Sequence, residues 1–221
     1  MSSTLLGLLA RHWEPGKVKA RLAATLGESH AATFHALCIT ALADRFAAVA
    51  DSRLLAFSPA RAEQAFRSVA RGRWHLVPQS STDPAERLRS LLTTALAQAE
   101  RVVIVSDDCP DLPRELVADG FAALDTADMV IGPTPDGGWH LVGAARGGES
   151  LLAHLAGGFP VAEVPGMTRL ATWHHADDEA QLREFLSNQK RGPVVDPALR
   201  MLAAQVETLL RNCLLRHSRA G

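Results

Sequence analysis

The sequence predicts an α/β fold built around a largely parallel sheet. Short apolar runs alternate with longer amphipathic stretches along the first two thirds of the chain, the pattern of strands alternating with helices. One of these runs, Val102-Val103-Ile104-Val105, leads straight into a carboxylate-rich loop, as expected at the carboxyl end of a buried parallel strand. A length of 221 residues suits one sizeable core.

Taken in order, strands are expected at 4–10, 53–57, 74–77, 102–105, 129–132 and 139–143, and helices at 29–49, 59–70, 84–99 and 113–123. The third helix has the best-defined start. Asp83 can cap it, Pro84 suits the first helical position, and Glu86 stands where a capping box places an acid. Between 132 and 139 the turn formers Pro133, Pro135, Asp136, Gly137 and Gly138 imply a sharp reversal or a loop shaped around a ligand, which makes the sheet mixed. Further on, a helix is expected at 150–156, a strand at 170–174, a helix at 178–187 and a linker at 188–195. In the last segment Leu199, Leu202, Val206, Leu209 and Cys213 share one helical face. The expected organisation is a domain over 1–190, followed at 191–221 by a linker and a helix. That helix packs on the domain itself or, as the alternative, on a partner subunit in a homodimer.

The formal net charge of -1 and a pI near 6.8 exclude the basic footprint of a protein whose main partner is nucleic acid or an anionic membrane. Any phosphate must be gripped locally. Cys38, Cys109 and Cys213 form no CxxC pair, so neither a disulfide framework nor a cysteine-rich zinc site is indicated and a cytoplasmic location is expected. The apolar run at 4–10 is too short to span a bilayer and has no basic residues before it.

Four segments can carry chemistry. In Ser106-Asp107-Asp108-Cys109-Pro110-Asp111-Leu112-Pro113, carboxylates at a strand end suit Mg²⁺ or Mn²⁺, which would neutralise the charge on a leaving diphosphate. Asp111 is expected to cap the following helix and Asp107 to be solvated, which leaves Asp108 as the functional acid. Lys17, Lys19 and Arg21 concentrate positive charge just after the first strand, a phosphate clamp or else a solvated basic loop, without the spacing of a Walker A motif. In Asp136-Gly137-Gly138-Trp139 the glycines allow close backbone approach and Trp139 offers a flat apolar surface to a sugar or base, although a plain hairpin turn reads the same way. The fourth segment, His174-His175-Ala176-Asp177-Asp178-Glu179, precedes a helix and must spend one acid on a cap.

Together these segments resemble the DUF2064 family of glycosyltransferase-like proteins. The matching stretches are Pro15 to Leu22, Gln79 through Glu86-Arg87-Leu88, Ser106 to Pro113, Gly132 to Gly143, and Asp177, so the resemblance covers about residues 4 to 187. It implies a GT-A, nucleotide-diphospho-sugar transferase fold, a three-layer sandwich with a mostly parallel mixed sheet. It further implies Asp108 and Asp177 as ligands of a Mg²⁺ or Mn²⁺ ion, and Lys17, Lys19, Arg21, Gly137, Gly138 and Trp139 as nucleotide or phosphate contacts. Asp136 would touch the transferred group or the acceptor, as a base if burial raises its pKa. The partners implied are a nucleotide sugar or nucleotide and a small-molecule acceptor. A nucleotidyltransferase releasing pyrophosphate, or a nucleotide-binding protein without turnover, would use the same residues. The chain departs from the family pattern at Ala20, at Ser106-Asp107, at Trp139-His140 and at His175. Between Gly148 and Thr172 it is shorter and lacks the family's tryptophan.

Overall fold

The computed structural model describes residues 2–81, 83–148, 150, 165–191 and 196–217. A seven-stranded sheet forms the middle layer, in the order β3-β2-β1-β4-β6-β5-β7. The strands are β1 (Ser2–Arg11), β2 (Ser52–Ser58), β3 (His75–Pro78), β4 (Ala99–Ser106), β5 (Met129–Pro133), β6 (Trp139–Ala145) and β7 (Met167–Arg169). β6 runs antiparallel to both its neighbours, while the remaining pairings are parallel. The antiparallel step follows from the tight turn between β5 and β6, since parallel neighbours need a long crossover.

The strand pleat sorts the core. Leu6, Leu8 and Ala10 of β1 point to one face, where they meet Phe57, Val103, Val105 and the helices α2 (Glu28–Arg45), α3 (Glu63–Ala70) and α5 (Arg114–Ala123). Leu5 points to the other face with Leu54, Val102 and Ile104, against α4 (Pro84–Leu96). Gly7 also faces that side, where a Cβ would sit 2.3 Å from Ile104 Cδ1, so only glycine lets β1 and β4 lie flush. A third apolar cluster joins α1 (Ala20–Leu26), α2, α6 (Glu179–Arg191) and α7 (Pro197–His217). Leu199, Leu202 and Val206 are buried in it, so that face of α7 is spent on the chain's own helices. The side chain of Cys213 lies outside the described residues. Among the described residues no helix is long and apolar enough to cross a membrane.

Several local expectations are corrected. The basic segment after β1 holds the short helix α1, separated from α2 by Gly27 at φ 82°. The helix expected at 59–70 begins as a 3₁₀ turn, Ala60–Ala62. Asp83 caps α4 by accepting from Glu86 N at 2.7 Å, but the reciprocal half of the box is absent because Asp83 N donates to Ser81 Oγ at 3.1 Å. The strand expected at 170–174 is displaced to Met167–Arg169. The stretch after it is tied down piecemeal, through Leu170 N to Ile131 O, Trp173 N to Pro133 O and Ala176 N to Asp108 O, and forms no ladder. α6 extends to Arg191, taking in the start of the expected linker. All but the first residue of the helix expected at 150–156, and the end of the linker at 192–195, lie outside the described residues.

Candidate active site

The strand order reverses between β1 and β4: the chain leaves β1 for β2 on one side and returns to β4 on the other. Open α/β sheets leave a crevice outside the carboxyl ends of their strands at such a point. Here the crevice is a cleft of about 480 Å³, with Arg11, Lys19, Asp108, Trp139, His175 and Asp177 in its walls.

Lys19 organises the cleft. Its side chain is 1% exposed, and its ammonium donates to Asp108 Oδ1 at 2.7 Å and to Asp177 Oδ1. Burial alone would push the Lys19 pKa down, but the Asp108 and Asp177 carboxylates outweigh it and hold the ammonium well above its usual range. In the same way burial would raise Asp108, yet Lys19 holds it well below the usual carboxylate range. Lys19 takes a left-handed backbone, φ 50° and ψ 49°, immediately before α1. A non-glycine residue there is strained by roughly 1–3 kcal/mol, and such strain gathers at functional sites. The turn drives the side chain inward between two loops that are 69 residues apart in sequence, at positions 108 and 177. The Cys38 thiol is also buried, and burial pushes its pKa far up against the opposing charge of Lys19.

The neighbouring acids hold the frame. Asp107 is 8% exposed; its Oδ2 accepts from Arg11 N at 2.8 Å and lies 3.3 Å from His35 Nε2, which donates to the Arg11 carbonyl at 3.1 Å. Asp107 thus stitches the end of β1 to the loop after β4 and is not solvated. Asp111 is also buried and does not cap α5; its Oδ1 accepts from Trp173 Nε1 at 3.1 Å, and its Oδ2 lies 3.5 Å from His174 Nε2, an ion-pair distance. That geometry anchors the segment carrying His175 and Asp177.

Asp136 backs the cleft wall without lining it. Its Oδ1 accepts from Thr134 Oγ1 at 2.6 Å and from Gly138 N at 3.3 Å, closing the turn between β5 and β6, and its Oδ2 lies 3.1 Å from His175 Nδ1. Burial pushes its pKa up, but the Thr134 bond, the His175 charge and the Gly138 amide outweigh that and lower it, so the condition for a base at Asp136 is not met. Gly137 sits at φ 85° in the turn, and Gly138 lines the cleft, where a Cβ would crowd Thr134 Oγ1 at 2.9 Å and His175 Cε1 at 3.2 Å. Arg21 is exposed and 3.6 Å from Asp177 Oδ2. Lys17 is exposed and forms no part of the cleft wall.

The structure therefore brings Lys19, Arg21, Asp108, Gly138, Trp139 and Asp177 to one cleft and leaves Lys17, Asp136 and Gly137 outside its walls. Sequence reasoning missed Arg11, His35 and the cleft-facing role of Arg87. The signal for Arg11 was its place at the end of the first apolar run; His35 carried none, being one polar residue in a helix. Among the described residues no group of three or more His, Cys, Asp or Glu side chains could enclose a metal ion. The cleft offers the carboxylates of Asp108 and Asp177, a donor set that fits Mg²⁺ or Mn²⁺ bound through one or two carboxylates with phosphate and water completing the shell.

Residues 41–157, more than half of the chain, match the model of the family described as uncharacterized protein conserved in bacteria (DUF2064). The chain belongs to the DUF2064 family. A comparison with curated proteins finds no match. Among solved structures, the chain resembles a "putative nucleotide-diphospho-sugar transferase" from Desulfovibrio desulfuricans G20 at 22% identity and TM-score 0.80, with 96% of this chain and 99% of that one covered. It also resembles 4-diphosphocytidyl-2C-methyl-D-erythritol synthase from Anaerococcus prevotii at 12% identity and TM-score 0.52, covering 93% and 98%. CMP:2-keto-3-deoxy-manno-octonic acid synthetase complexed with CTP matches at 12% identity and TM-score 0.51, covering 83% and 96%. At these identities the likeness is one of fold, and the fold is that of nucleotide-diphospho-sugar transferases and cytidylyltransferases.

Proposed function

We propose that this DUF2064 protein is a transferase acting on a nucleotide sugar, with the diphosphate lying in the cleft between β1 and β4. The observation that carries this reading is the buried Lys19 ammonium held by Asp108 and Asp177 at the switch point of the sheet. Among the inward-facing groups two carboxylates meet one ammonium, the second cation, Arg21, being exposed, and that balance suits a divalent cation better than a bare diphosphate. Asp108 and Asp177 would hold Mg²⁺ or Mn²⁺, and the ion supplies charge neutralisation on the diphosphate. The chain's own residues do the rest. Lys19 fixes both carboxylates in place before the ligand arrives, so little reorganisation remains on binding. The exposed guanidinium of Arg21 is free to swing from Asp177 onto a phosphate oxygen. Gly138 lets backbone come close to the ligand, and the half-buried Trp139 lays an apolar face against the sugar or base. The buried free thiols of Cys38 and Cys109 suit a reducing cytoplasm.

The likeness to the CTP complex favours a second reading, nucleotidyl transfer with release of pyrophosphate. Incubation with Mn²⁺ and either nucleotide sugars or nucleoside triphosphates separates the two. Release of a nucleoside diphosphate from a nucleotide sugar supports glycosyl transfer, whereas pyrophosphate from a triphosphate replaces it with nucleotidyl transfer. Neither product across the common nucleotides, with the folded protein, overturns both.

A further inference from the structure

The cleft has a second basic end. Arg11 closes β1 and Arg87 sits in the first half of α4, and both line the cleft. Neither guanidinium has a carboxylate within 4.0 Å or a hydrogen bond to its side chain among the described residues, although Arg11's backbone is firmly held by Asp107. Arg87 Nε is buried and has no hydrogen-bond partner. By contrast, Arg45, Arg61, Arg67, Arg71, Arg73, Arg89 and Arg101 each pair with a carboxylate.

The charges that act on each group keep the two ends distinct. Lys19 is governed by Asp108 and Asp177. Arg87 is governed by burial first and then by the like charge of Arg11, with Asp107 and Asp83 opposing. Asp107 is committed to Arg11 N and His35, and Asp83 to the cap of α4. A buried guanidinium nitrogen without an acceptor, beside a second cation, is costly unless an anion completes it. We propose that Arg11 and Arg87 form an anion-binding position in this cleft, separate from the Lys19 pair, that takes a phosphate or carboxylate group. The inference rests on the proposed function for the ligand at the Lys19 end and adds a charged group at the other. The substrate set then contains a further oxyanion, either the terminal phosphate of a nucleoside triphosphate or an acidic group on the second substrate.

Calorimetric titration with inorganic phosphate, without divalent metal, tests it. Arg11→Gln and Arg87→Gln should each weaken phosphate binding about tenfold or more, Arg87→Lys should recover part of the loss, and Arg89→Gln, on the same helix but paired with Glu86, should leave it unchanged. Thermal midpoints equal to wild type confirm that the variants are folded. Titrations with nucleoside di- and triphosphates separate the sources. A loss confined to triphosphates assigns the position to the terminal phosphate, and variants that lose inorganic phosphate yet bind di- and triphosphates as wild type does assign it to the second substrate. Wild-type protein without saturable phosphate binding, or Arg11→Gln and Arg87→Gln binding as wild type does, overturns the proposal. The readout needs no turnover. Absence of transferase products with Arg-dependent phosphate binding therefore counts against the proposed function alone, and products without that dependence count against this site alone.

Discussion

Lys19 and His174 show how single residues set the properties of this cleft. Removing one partner of a buried ion pair leaves the other charge uncompensated. Lys19→Met strands Asp108 and Asp177 beside each other, and because those side chains keep 35% and 24% exposure the loss is expected at about 2–3 kcal/mol, below the figure for a fully buried pair. Chemical denaturation of the variant measures it; an unchanged midpoint would mean that the ammonium does not hold the two loops. His174 carries a pH dependence. Its pKa is raised above 6.5 in the fold, first by the Asp111 contact, against the opposing effect of burial. The folded state therefore binds the proton more tightly, so the contribution is fully present below pH 6.5 and is lost as pH rises through the folded value. Thermal midpoints should fall over that window in wild type and fall less in Asp111→Asn, which can still accept from Trp173 but no longer carries the charge.

At the scale of elements, what local chemistry dictated was legible and what tertiary contacts dictated was not. The start of α4 was written in Asp83 and Pro84, and Asp83→Ala should cost about 1 kcal/mol, seen as a lower thermal midpoint, with Asp83→Asn nearly neutral. The apolar runs of β1 and β4 named the central strands, because strands buried on both faces have little polar alternation to obscure them. Residues 170–174 were misread as a strand because they favour extended backbone, yet the hydrogen bonds of 170–176 go to strand ends and to the Asp108 loop, which no local pattern records. α1 was hidden for the opposite reason: the cations around it drew the reading to charge, and its seven residues are too few for a clear period. Asp107 and Asp111 look like any exposed acids in the sequence; only the positions of Arg11 N, His35 and Trp173 reveal them as braces.

Across the whole molecule, the cleft is fastened to the helical layer through Arg45. This buried guanidinium donates to the carbonyls of Pro110 and Leu112, each at 2.8 Å, and pairs with Asp196 at the start of α7. Arg45→Met leaves two buried carbonyls without donors and should cost about 2–4 kcal/mol; a retained thermal midpoint would show that the loop after β4 stands without α2 and α7. The family resemblance identified the fold and the loops that meet at the cleft. It did not show that Lys19 turns inward while Lys17 faces solvent, because alternate residues of one basic segment are separated only by the left-handed turn at Lys19. The reading of this molecule as a transferase depends on the Lys19, Asp108 and Asp177 cluster receiving a metal-bound diphosphate. Calorimetric titration of the wild-type protein with nucleoside diphosphates, with Mn²⁺ and then with EDTA, should show saturable binding that weakens about tenfold or more without the cation. Binding of equal strength in EDTA, or none in either condition, would contradict it.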